Sequence, residues 1–455
     1  MKTNHPARAA SRWLGAAFLA LVWASPLAAQ RQDTTKLPPG VELETRYSKR
    51  GRPLIAVRRF TGPIPFAGLT EQVSGIVAND LTLSDRFEIL PVPESMVSST
   101  ELQYDAWNSL NVIYLVTGEI VQSGEGFQLR LTAHDVVYGR EKQSGTFALP
   151  PTSSNDFRLA VHAASDGVVQ WVTGQPGTAA TRIAFVRLNQ NGSFDLLTVD
   201  SDGENLRRVF GSPSQIYSPA WSPDGTRIAY AAREPDGWRL VERDLATGRI
   251  REIEKGRDAI LTPAYSNDGR RLAYAIWVAG GYEIHDYDLE KSCCARRLTD
   301  SGGDNISPSY SPEGSRMTFL STRTGKHHIF VMGTDGSNPR ILTPFGEGVE
   351  FNAPEWSPVG SRIALWGASR GTFQLMTMDA DRPGSQITQL TSAGDNEDPG
   401  WAADGRHIVY SGSGAGRDGL YVIDTVTGNS RLLVQGGRLR TADWSPSLAA
   451  LVGTN

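Results

Sequence analysis

Between residues 181 and 455, short apolar runs alternate with clusters of Gly, Pro, Asp and Ser. That is the pattern of many half-buried strands joined by tight turns. An aromatic residue followed by a turn resembling Ser-Pro-Asp-Gly recurs at Trp221-Ser-Pro-Asp-Gly225, Tyr265-Ser-Asn-Asp-Gly269, Tyr310-Ser-Pro-Glu-Gly314, Trp356-Ser-Pro-Val-Gly360, Trp401-Ala-Ala-Asp-Gly405 and Trp444-Ser-Pro-Ser-Leu448. The spacings are 44, 45, 46, 45 and 43 residues, the length of one four-stranded propeller blade. Within each copy Pro arrives with φ already set and Gly accepts a positive φ, so the segment closes a hairpin. The aromatic ends a first strand, where its flat side chain fills the gap between blades. Second strands follow at once, as in Arg227-Ile-Ala-Tyr-Ala231, Arg271-Leu-Ala-Tyr-Ala275, Arg316-Met-Thr-Phe-Leu320 and Arg362-Ile-Ala-Leu-Trp366. Third strands run into a further Asp/Gly turn, as in Leu197-Thr-Val-Asp-Ser-Asp-Gly203. Six blades result. The run Thr181-Arg-Ile-Ala-Phe-Val186 looks like a second strand lacking its first, and residues 439–444 look like a first strand with little after it. The two ends are therefore expected to share one blade, leaving no open sheet edge.

The first part of the chain has a different period. Residues 54–57 and 87–90 read as strands, and residues 70–83 read as a helix with Val73, Ile76, Val77 and Leu81 on one face. A short helix near residues 104–110, strands at 112–122, 127–138 and 143–149, and a helix from 154 to 172 complete an α/β domain over residues 53–175. The fold class is thus multi-domain: a small α/β domain followed by a six-bladed β-propeller over residues 181–455. Residues 30–52, with Pro38-Pro39-Gly40 and one short alternating run, read as a flexible arm.

Residues 1–29 carry Lys2, Arg8 and Arg12, an apolar run from Trp13 to Trp23, and the small-residue ending Leu27-Ala28-Ala29. This is the pattern of a signal peptide, since the run falls short of the roughly 20 apolar residues a membrane span needs. Without the leader the chain holds 42 Lys plus Arg against 49 Asp plus Glu, a balance of −7 that argues against a nucleic-acid partner. The only cysteines are Cys293 and Cys294, adjacent and unable to staple distant elements.

Catalytic signatures are weak. Gly367-Ala-Ser-Arg-Gly371 matches G-x-S-x-G, but the repeat places Ser369 in a hairpin, whereas a nucleophile elbow needs a helix after its strand. His327 and His328 point to opposite faces of a strand, a poor metal pair. Asp200-Ser-Asp-Gly203 and Asp379-Ala-Asp381 lack the further ligands of a calcium loop. Catalysis is not expected; an exported propeller hydrolase or a glycan-binding propeller stands as the alternative.

The order of these pieces resembles the TolB family of the Tol-Pal envelope system. The matching segments are Gly51-Arg-Pro53, Gly75-Ile-Val-Ala-Asn-Asp-Leu81, Thr181-Arg-Ile-Ala-Phe185, Ser218-Pro-Ala-Trp-Ser-Pro-Asp-Gly225 and Trp444-Ser-Pro-Ser-Leu448. The resemblance implies a periplasmic, non-membrane-embedded protein that binds the lipoprotein Pal through one face of the propeller and TolA through the N-terminal arm, supporting outer-membrane integrity and cell division. The Pal-facing loops would be residues 255–262, 301–307, 346–353 and 393–398. Partner contacts are accordingly expected at Asp258, Ile260, Thr262, Asp304, Asn305, Ile306, Glu350, Asn352, Asp395, Asn396 and Glu397. The family's His-Asn-Gly-Ala-Pro stretch is replaced here by Ala259-Ile-Leu-Thr-Pro263. Asp300, Asp304, Glu347, Glu350, Asp395, Glu397 and Asp398 stand in or beside three of these loops, from residue 300 on, with no Lys or Arg among them. Such a mouth would draw a basic partner and would suit a weakly held calcium ion; no dedicated cofactor is expected.

Overall fold

The computed structural model describes residues 51–93, 96, 102–344, 350–369, 371–382, 387–413 and 416–452. The expected leader and nearly all of the expected arm lie outside the described residues, as does Glu347.

The α/β domain is built on a five-stranded sheet in the order β2-β1-β3-β4-β5. Strand β1 (Leu54–Val57) runs parallel to β2 (Glu88–Ile89) and β3 (Tyr114–Ser123), while β4 (Gly126–Asp135) and β5 (Arg140–Leu149) continue antiparallel. Alternation along the strands sends Ile55, Val57, Val116, Ile120, Leu129 and Leu131 to one face, against α1 (Ala67–Leu83) and the helix Phe157–Thr173. Ala56 and Leu115 point the other way, onto Trp107 of the short helix α2 (Tyr104–Ser109). Each Val, Leu or Ile so buried contributes about 1.5–3 kcal/mol. The helix Phe157–Thr173, α3, starts three residues later than the sequence predicts, because Ser154 Oγ accepts the Asp156 N–H in a turn ahead of it. Strand β5 starts three residues earlier, since Arg140 already pairs with Asp135 across a turn in which Gly139 takes φ 60°.

Among the described residues the rest of the chain forms six four-stranded antiparallel sheets. The first strand of each blade lines a central channel: Ile216–Trp221, Ile260–Tyr265, Asn305–Tyr310, Phe351–Trp356, Asn396–Trp401 and Leu439–Trp444. An innermost strand is an edge of its sheet, so Pro219, Pro263, Pro308, Pro354 and Pro399 cost it no ladder bond. The residue before each of them, and Thr441 in the sixth copy, takes a positive φ of 44° to 54°, and each strand slips register against its neighbour at that point. These are β-bulges, which twist the inner strands to follow the channel wall.

The bulges also stitch the ring together. Ser309 Oγ accepts the N–H of Trp356, Glu355 that of Trp401, and Asp443 that of Trp221, at 2.6 to 3.1 Å. Closure follows expectation: Leu439–Trp444 pairs antiparallel with Arg182–Leu188 in the blade whose other strands are Phe194–Asp200 and Arg207–Ser212. Trp444 Nε1 donates to Thr181 Oγ1 at 2.7 Å.

In a four-stranded meander the first and third strands run the same way. Turns 1–2 and 3–4 therefore emerge on one face, while turns 2–3 and the crossings between blades emerge on the other. The α/β domain meets the first face: Asp202 in a 3–4 turn receives Arg158, Asp404 in a 1–2 turn pairs with Arg86 at 3.4 Å, and Asn429 in a 3–4 turn donates to Asp85 at 3.0 Å. The linker is held as well, because Asp166 of α3 accepts the N–H groups of Ala179 and Ala180 at 2.8 and 2.9 Å. The face carrying the crossings stays clear of the α/β domain in these contacts.

Candidate functional site: the open mouth of the propeller

The crossing loops meet at the mouth facing away from the α/β domain. Of the residues expected to touch a partner, Asp258, Glu350 and Asp395 are exposed, and Thr262, Asp304, Ile306, Asn352 and Glu397 are half-exposed. The remaining three are interior, which corrects the sequence reading. Ile260 packs in the core between blades, next to Tyr274 and Leu272. Asn305 is fully buried, donating to Glu283 Oε2 and the Gly303 carbonyl, and Asn396 donates to Gln374 Oε1 and the Ala393 carbonyl. These two amides shape the loops from within. Thr262 sits at a bulge, and its Oγ1 accepts the Ser307 N–H at 3.0 Å.

The acidic rim is thinner than its composition suggests. Asp300 is paired at 2.6 Å with Arg297, three residues earlier, and Glu397 with Arg440 of the next blade's first strand. Asp398 turns into the channel and accepts the Thr441 N–H at 3.2 Å. Among the described residues Asp258, Asp304, Glu350 and Asp395 remain as acids outside such arginine pairs, with the exposed Arg257, Lys326 and Arg438 on the same face, so the rim carries both signs.

Aromatic side chains, which the sequence reading did not select, stand beside those acids. On the 2–3 hairpins, Trp277 packs edge-on to Tyr282 with ring centres 5.2 Å apart, and Phe373 packs edge-on to Trp366 at 4.9 Å. Trp277 and Phe373 are 39% and 38% exposed, unusual for side chains of this size. Each pair is tied to an acidic loop: Asp304 Oδ1 accepts the Tyr282 N–H at 3.1 Å, and Asp395 Oδ1 accepts the Phe373 N–H at 3.0 Å. The signal that could have found them is the repeat itself, since the 2–3 hairpin of every blade must reach the same face as the crossing loops.

Below the mouth the channel encloses about 430 Å³ and is lined by the bulged strands. Burial, together with Asp443, pushes the Glu355 carboxyl well above the usual range, and burial lifts Asp443 to about 7. Burial and the neighbouring Glu397 raise Asp398 too. The channel neck thus favours the protonated carboxyl more than open water does. Among the described residues, the clusters of three acid or imidazole groups compact enough for one ion to touch lie at the domain interface, not at this mouth.

The catalytic candidates find structural roles. Ser369 ends a strand paired directly with Thr372, so G-x-S-x-G is a β-hairpin. His328 is buried with Nδ1 3.0 Å from Thr343 Oγ1, while His327 lies 2.8 Å from Asn352 Oδ1. Asp200 receives Arg182 Nε at 2.9 Å. Cys293 and Cys294 are joined as a vicinal disulfide in an outer strand. No described helix is long and apolar enough to cross a membrane.

Comparison with known proteins agrees with this architecture. Residues 169–448 match the family model of the TolB beta propeller domain, and residues 42–142 match the TolB amino-terminal domain. A Tol-Pal system protein TolB of Xanthomonas oryzae pv. oryzae is 29% identical, over 96% of this chain and 98% of its own length. One of Methylococcus capsulatus is 34% identical over 54% of this chain, a match spanning about half (55%) of that relative. The crystal structure of TolB from Acinetobacter baumannii superposes with a TM-score of 0.77 at 26% identity, covering 89% of this chain and all (100%) of that one. The chain belongs to the TolB family of Tol-Pal system proteins.

Proposed function

We propose that this chain is a non-catalytic docking protein of the periplasm that binds the lipoprotein Pal at the open propeller mouth and TolA through its N-terminal arm, so supporting outer-membrane integrity and cell division. The observation that carries the reading is the mouth itself: Trp277 and Phe373 are exposed on hairpins that are each hydrogen-bonded to an acidic loop. Exposed aromatic anchors are what protein interfaces concentrate, with charge kept to the rim. The α/β domain occupies the opposite face, leaving this one for a partner. Membership of the Tol-Pal system supports Pal as that partner.

Exposed aromatics also favour a second reading, a glycan partner. Both are tested by passing an envelope extract of the same organism over the immobilised mature chain. Recovery of a Pal-like lipoprotein that persists after muramidase digestion of the extract is expected. Recovery of peptidoglycan fragments alone would favour the glycan reading, and recovery of neither would overturn both.

A further inference from the structure

Two buried histidines lie where the α/β domain meets the propeller, and they are arranged reciprocally. His162, on α3 of the α/β domain, places Nδ1 2.9 Å from Asp80 Oδ2 of its own domain and Nε2 3.7 Å from Asp202 Oδ2 of the propeller. His407, on the propeller, places Nδ1 2.8 Å from Asp404 Oδ2 of its own blade and Nε2 3.5 Å from Asp85 Oδ2 of the α/β domain. Side-chain exposure is 0% for His162 and 2% for His407. Neither Nε2 completes a hydrogen bond, so each cross-domain contact is a close ionic approach; a neutral ring donating from Nδ1 would turn its Nε2 lone pair toward the second carboxylate, and the cation is the form that this carboxylate attracts.

We propose that these two imidazolium bridges form a pH-dependent latch between the domains, each domain contributing one histidine and one receiving carboxylate. A shared metal ion fits less well. Asp80 and Asp202 lie on opposite nitrogens of His162, and Asp202 already receives Arg158.

The charged groups around each ring decide how strongly it titrates. Around His162 stand Asp80, Asp202 and, farther off, Asp200 and Asp166, with Arg158 on Asp202, Arg182 on Asp200 and Arg431 nearby. Asp80 Oδ1 has no hydrogen-bond partner of its own, so the ring is what compensates its charge. Around His407 stand Asp404, Asp85 and Asp424, offset by Arg86, Arg52 and Arg406, each paired with one of them, and by Arg362. The His162 bridge is thus the less neutralised of the two. For both rings burial lowers the pKa and the flanking aspartates more than restore it, Asp80 foremost for His162 and Asp404 for His407, so both end above 6.5. A raised histidine contributes its full stabilisation below 6.5 and loses it as pH rises through the folded value. The latch holds in mild acid and loosens on the alkaline side.

The test uses the full mature chain. Imidazole C–H resonances are titrated by NMR, and hydrogen exchange is followed over residues 80–86 and 402–407 from pH 6 to 9, corrected for the intrinsic exchange rate. Both rings are expected to titrate above 6.5, and interface protection to fall about tenfold or more across the range. The doubly substituted His162→Gln, His407→Gln chain is expected to show low protection at every pH. Either ring titrating at or below 6.5, or protection in the native chain that stays flat, would overturn the proposal, and neither readout needs the variant to fold.

Discussion

Replacing Trp444 by Ala is expected to destabilise the propeller by about 3–5 kcal/mol, the range for deleting a buried large aromatic, and to broaden its unfolding transition. Trp444 ends the strand that closes the ring. Its ring is buried between the last blade and its neighbour, and its indole N–H is spent on Thr181, 263 residues away in sequence. Trp401 is the control, because it occupies the equivalent place in the fifth blade, where all four strands are contiguous. Trp401→Ala should cost a similar amount of packing yet leave closure intact. Urea unfolding of the two variants separates these effects. A reduced m-value for Trp444→Ala alone indicates an opened ring with partly frayed edges; identical midpoints and slopes would contradict the role assigned to closure.

Truncating Trp277 and Phe373 together to Ala is expected to weaken partner binding by about 2 kcal/mol or more, roughly 30-fold in Kd. Both rings are more than one-third exposed, so their removal opens little of the core and thermal stability should barely move. Reversing Asp258 and Glu350 to Lys acts differently. These exposed carboxylates lie on the rim, and their loss should slow association and flatten its salt dependence while leaving dissociation nearly unchanged. Surface plasmon resonance with immobilised Pal reads both. Unaltered binding by the aromatic variant would remove the mouth hairpins from the interface.

Most of the architecture was legible because it is repetitive. A 43- to 46-residue period with an aromatic before each turn leaves few alternatives to a propeller, and the incomplete first and last repeats disclose the closing blade. The helices and strands of the α/β domain follow from their periodicity, with ends displaced by local hydrogen bonds at Ser154 and by an early hairpin at Asp135 and Arg140.

The site was harder to read because exposure is a property of three dimensions. Asn305 and Asn396 occupy loop positions that look solvent-facing in sequence, yet each is drawn inward to satisfy carbonyl groups of its own loop. Glu397 looks uncompensated until Arg440 approaches from the next blade, whereas Asp300 pairs with Arg297 only three residues before it. The bulges left a trace in the Pro that stands two residues before the aromatic in five of the six copies, but their positive φ appears only when six strands must curve around one channel.

The most direct test of the docking account is a hydrogen-exchange footprint of the full mature chain with and without Pal from the same organism. Protection is predicted over residues 255–262, 301–307, 350–353 and 393–398 and over the hairpins at 277–282 and 366–373, with the turns facing the α/β domain unchanged. Protection confined to the α/β domain or to that opposite face would contradict it.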